Sequence, residues 1–190
     1  MAECLRRLLL LVALLAFIPA HADDDARVAY AEIVTAEDGN YVLNADFTFD
    51  INPKLTDALA HGLALHFVAE LRVERPRWYW FDKTVAHRRV EYRLAYHAIT
   101  RSYRLTIGSL HWSFEQLKDA VHAMQRLRNW HVAPAAAFLP GVRHEAELRF
   151  FHDTSQLPKL FQLSAVANGN WEVDTDWLEW IFLPGAAVSQ

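Results

Sequence analysis

Histidines and carboxylates are the side chains here that could do chemistry, and their spacing supports little of it. Nine of the ten histidines lie beyond residue 22. None forms a pair at metal-ligand spacing. His61 and His66 straddle a helix-to-strand boundary, His87 and His97 lie ten apart, and neither H-E-x-x-H nor His-x-His occurs. Cys4 is the only cysteine, which removes the usual ligands of structural zinc. Gly108-Ser109 lacks the second glycine of a G-x-S-x-G elbow, and no glycine-rich phosphate loop is present. Glu172, Asp174 and Asp176 alternate near the end of the chain, with Glu179 close by. They read either as a calcium site or as a solvated strand face opposite Trp171 and Trp177. A hydrolase would need a His–carboxylate pair within hydrogen-bond reach, such as His144 or His152 with Asp153 or Glu145. The expectation is therefore no catalytic residue, no metal and no cofactor.

One constellation suits binding instead. Arg75, Arg77, Trp78, Tyr79 and Trp80, with Lys83, His87 and Arg88, form the densest aromatic cluster and are flanked by cations. Exposed aromatics beside arginine suit anionic lipid headgroups, glycans or a protein partner. The alternative is a core and edge cluster with Arg stems packed over the rings. If the segment is a strand, consecutive aromatics point to opposite faces, so only part of the set can be exposed. From Glu70 to Arg104, Arg and Lys outnumber Asp and Glu nine to four, in a chain of net charge −4. That segregation predicts a basic sheet face on an acidic body.

The elements that position these residues follow from periodicity. Val28–Thr35 and Tyr41–Ile51 read as strands joined by an Asp38-Gly39 turn. Asn52-Pro53 starts a helix with the stripe Leu55, Ala58, Leu59 and Leu63. Period-two alternation then marks strands at Leu65–Val73, Arg89–Tyr96 and Tyr103–Ile107. Ser113 and Gln116 form a capping box ahead of a second helix carrying Phe114, Leu117, Val121, Met124 and Leu127. Trp130–Phe138 reads as a weaker extended segment and Val142–Phe150 as a strand. Asp153-Thr-Ser155 opens a helical turn, Asn168-Gly-Asn170 is a turn, and Trp171–Phe182 is a last strand bulged near Trp177. The fold class expected is α+β: a mainly antiparallel sheet or sandwich with two main helices packed on it.

The first 22 residues read as a secretory signal peptide, with Arg6 and Arg7, an apolar run Leu8–Ile18 and an Ala20-His-Ala22 cleavage site. Cleavage after Ala22 would leave a domain over 23–183 and a flexible tail over 184–190. With no disulfide and no Asn-x-Ser/Thr site, a bacterial periplasm is the expected address. That compartment argues against a nucleic-acid partner.

In order, Asp38-Gly-Asn-Tyr41, Asp57-Ala-Leu59, Gly62-Leu-Ala-Leu-His-Phe67, Arg77-Trp-Tyr-Trp80, Arg93-Leu-Ala-Tyr96 with Tyr103, and Trp171 to Trp180 are distinctive. Their order resembles an uncharacterised proteobacterial exported family, domain of unknown function 4390. The resemblance implies an exported protein of unknown activity, often encoded beside an NtrY-type membrane sensor kinase. It carries over no catalytic residues. Two functions are expected from this reading. The leading one is a non-enzymatic binding or interaction module acting through Arg75 to Arg93, with the sensor kinase or another envelope protein as partner. The other is a carrier of lipid or envelope glycan, which needs an apolar cavity between the sheet and the Phe114–Leu127 segment.

Overall fold

Strands of period-two sequence build two antiparallel sheets whose apolar faces meet. The computed structural model of the 190-residue chain describes residues 26–79, 82–159, 161–162 and 171–185. The expected signal peptide, Trp80 and the Asn168–Asn170 turn lie outside the described residues. The smaller sheet has the order β1 (Arg27–Thr35), β2 (Tyr41–Thr48), β7 (Arg126–Ala133). The larger one runs β6 (Leu110–Phe114), β5 (Ser102–Ile107), β4 (Lys83–His97), β3 (Leu65–Arg75), β8 (His144–His152), β9 (Leu178–Phe182). The α+β architecture includes the short helices α1 (Pro53–Ala60) and α2 (Leu117–Met124).

Local chemistry fixes the joints. Gly39 takes φ +80° in the β1–β2 turn, a region that side chains other than glycine rarely adopt. Asn52 caps α1 by accepting from the Leu55 N–H at 3.0 Å, with Pro53 at the first helical position. Leu55, Ala58 and Leu59 of α1 are buried.

The core lies between the sheets. Phe150 of β8 packs against Phe49 at 4.6 Å, Phe47 at 4.9 Å and Phe67 at 5.7 Å between ring centroids, with Tyr92 edge-on at 5.7 Å. Each such ring contributes roughly 1.5–3 kcal/mol through burial alone. The odd residues of β3 and the even residues of the middle of β4 face this core, as their alternation predicts.

Three sequence expectations are corrected. The Ser113–Gln116 capping box does not form. Leu110, Trp112 and Phe114 instead pair with Ile107, Leu105 and Tyr103 as an edge strand, and Ser113 stands opposite Arg104. Helix α2 begins only at Leu117, with no side-chain cap at Gln116, and Leu127 belongs to β7. The last strand is shorter than Trp171–Phe182, because Asp176 takes φ +54° and breaks the run. Upstream of that break the chain still bonds β8: the Phe150 N–H donates to Thr175 Oγ1 and the His152 N–H to the Val173 carbonyl. Beyond β9, Pro184 is buried and its carbonyl accepts from the Gly141 N–H at 2.9 Å, and the rest of the expected flexible tail, 186–190, lies outside the described residues. Finally, the basic window does not form one face. Arg88 points to the inner side, and β8 and β9 bring Glu145, Glu147 and Glu179 onto the outer one.

Candidate functional site

Of the eight residues singled out from sequence, the seven that are described go to three places: the β3–β4 tip, the outer face and the inner face of the larger sheet. Trp78 and Tyr79 sit in the turn between β3 and β4, not in a strand, so both are exposed, at 93% and 69%. Their rings meet edge to face at 5.0 Å. The turn is closed by Asp82, whose Oδ1 accepts from the Arg77 N–H at 3.1 Å, and by the pairing of Arg75 with Lys83. His87 and Arg88 lie further along β4, roughly 14–17 Å from Lys83 at strand rise. They face opposite sides. Arg88 donates from Nε to the Val132 carbonyl of β7 at 2.7 Å, joining the two sheets. His87 turns outward to Glu70.

Glu70 is the centre of a network that the sequence reading missed. It stands on the outer face of central β3, yet its side chain is only 4% exposed. Arg149 reaches it at 2.9 Å, His87 at 2.8 Å and Arg72 at 3.1 Å. Burial pushes its pKa up, but these three donors outweigh burial and bring it down to about 2. Trp177 lies under both Arg149 and Arg72, 4.5 and 4.6 Å from its ring centroid, and Phe151 lies 4.3 Å from Arg149. Every donor is thus held by a ring or a neighbouring strand. The signal available was Glu70 itself, a lone acid between Val68 and Arg72 in the strand that both neighbours flank.

The pairs considered for hydrolysis are not assembled. His152 is buried, with Nδ1 on the Trp171 carbonyl at 2.6 Å, and His144 Nδ1 meets the Val142 carbonyl at 2.8 Å. Asp153 accepts from Ser155, and Glu145 pairs with Arg143. The acids near the C-terminus lose their shared face at Asp176. Among the described residues, no group of three or more His, Cys, Asp or Glu side chains is placed to hold a metal ion.

A cleft lies apart from all of the residues singled out from sequence, and it follows from strand count. Six strands face three. The smaller sheet packs on β8 and β4, while α2 approaches the inner side of β5 and β6. Helix α2 is anchored at its C-terminal end: Gln125 donates from Nε2 to the Phe49 carbonyl and its carbonyl accepts from the Phe47 N–H. Between α2, β7 and the overhanging strands lies an open cleft of about 460 Å³, with Leu105, Ile107, Trp112, Phe114 and Leu127 in its walls. A bulge in β7 shapes its rim. Asn129 takes φ +51°, tolerable for asparagine, and its N–H is held by Asn44 Oδ1 at 2.9 Å. Tyr92 also lines the cleft. Its hydroxyl is buried with no hydrogen-bond partner among the described residues. The period-two run Leu110, Trp112, Phe114 was the sequence sign of this overhang.

These features define a two-sheet antiparallel sandwich with an apolar cleft at its uncovered edge. The chain belongs to the family described as Domain of unknown function (DUF4390), whose model matches residues 23–181. No match was found among the curated proteins or among the solved structures.

Proposed function

We propose that this protein is a non-enzymatic binding module, exported to the periplasm, that holds an apolar ligand in the cleft between α2, β7 and the β4–β5–β6 overhang. One observation carries the reading: a six-stranded sheet covered by three strands leaves about 460 Å³ of apolar-walled space. That volume lies within the roughly 300–1,000 Å³ of ligand pockets. The test is titration with N-phenyl-1-naphthylamine, a neutral apolar probe that brightens out of water. Saturable binding at one site is expected. Ala123→Trp, which fills the cleft from α2, should abolish it while the thermal midpoint is kept. No saturable binding by the wild type would end the reading.

A second reading rests on the exposed pair Trp78 and Tyr79. The β3–β4 tip is then a contact surface for an envelope protein, with the membrane sensor kinase implied by the family resemblance as the first candidate. A photo-crosslinking residue at Tyr79 in living cells tests it. A single protein adduct supports it, and silence at Tyr79 beside a reactive control site counts against it.

A further inference from the structure

The charge around the cleft says more about its ligand than its walls do. Arg126, Arg128 and His131 lie on its rim, and no aspartate or glutamate lines it. The chain as a whole carries net charge −4. Arg128 is already committed, to the Ala45 and Leu127 carbonyls and to Asp46. Arg126 makes no side-chain hydrogen bond or ion pair among the described residues. An unengaged guanidinium beside apolar walls complements a molecule with a long apolar part and one terminal anion. The planar fork of arginine matches a carboxylate with two parallel hydrogen bonds. The volume, in the lower part of the pocket range, suits a single hydrocarbon chain. Trp112, 44% exposed on edge strand β6, is apolar surface that such a chain would cover.

We propose that the cleft binds a long-chain carboxylate, with its chain along Leu105, Ile107 and Leu127 and its carboxylate on Arg126. This rests on the cleft being a ligand site, as argued above. Calorimetric titration of the purified protein with dodecanoate and with 1-dodecanol, both below their aggregation limits, separates the two claims. Dodecanoate is expected to bind at least about tenfold more tightly, the scale of a charge-assisted hydrogen bond. Arg126→Gln should bring dodecanoate to the level of the alcohol and leave the alcohol unchanged. Arg126 is exposed, so the variant should keep the wild-type thermal midpoint. Equal binding of acid and alcohol would overturn the carboxylate class and leave the apolar cleft standing. A preference for the acid that survives Arg126→Gln would overturn the assignment to Arg126. Tighter binding of dodecyl phosphate than of dodecanoate would replace carboxylate by phosphate. Binding of none of the three would sink both the proposal and the reading under it.

Discussion

Glu70 on β3 and Arg149 on β8 stand directly opposite each other, and Arg149 Nη2 donates to Glu70 Oε2 at 2.9 Å. The pair sits on the outer face of the larger sheet, under the rings of Trp177 and Phe151. The carboxylate is nearly inaccessible while its arginine partners remain partly wet. Removing the acid leaves cations that water can partly solvate, whereas the buried acid depends on its three donors for its charge.

Glu70→Gln is expected to cost about 2 kcal/mol at neutral pH, less than a fully buried pair because Arg149 and Arg72 keep some water. The folded pKa of Glu70, about 2, lies below its ordinary 4.5. Its stabilising contribution is then complete above about pH 5 and is lost as pH falls toward 2. Urea unfolding at pH 7 and pH 3 checks this. The wild type should lose more stability between the two than the variant, and parallel losses would count against the network.

His152 has the opposite chemistry and a related pH response. Burial lowers its pKa, against the hydrogen bond to the Trp171 carbonyl, which raises it. Protonation would also place an N–H on Nε2, which has no partner among the described residues. The unfolded chain takes up the proton first, so stability should decline as pH drops below about 6.5. His152→Asn keeps a donor for the carbonyl and cannot titrate. It should flatten part of the decline between pH 7.5 and 5, read by urea unfolding. An unchanged slope would assign the decline elsewhere.

Tyr92→Phe removes a buried hydroxyl that has no partner among the described residues. An unsatisfied polar group costs about 1–3 kcal/mol to bury. The variant should be as stable as the wild type or more stable by about 1 kcal/mol, measured by chemical denaturation. A loss greater than that would mean the hydroxyl is bonded in the folded protein.

Trp78→Ser and Tyr79→Ser should shift stability by no more than about 0.5 kcal/mol, because neither ring is packed into the core. Thermal unfolding of each variant decides it. A large loss would place these rings in the fold rather than on its surface.

Strand positions were legible where alternation was strict. Tyr41 to Phe49 and Leu65 to Val73 bury the residues their parity names. The Asn52 cap was legible because its chemistry is local. The edge strand β6 was not, since Ser113 and Gln116 match a helix start as well as Leu110, Trp112 and Phe114 match a strand. Pairing with β5 decided between them. The binding cluster read from Arg75 to Arg88 was continuous in sequence only. A turn at its start and alternation at its end send its members to the tip, the outer face and the inner face.

Sequence alone determined the mainly antiparallel α+β character, because hydrophobic period and turn chemistry act within a few residues. Tertiary structure alone decided where a site can be. Glu70 acquires its three donors from three strands, and the cleft exists because three strands are paired against six. Both depend on which strands become neighbours and how far one sheet overhangs the other. Those are long-range choices made by burial of the whole core, and no local spacing encodes them.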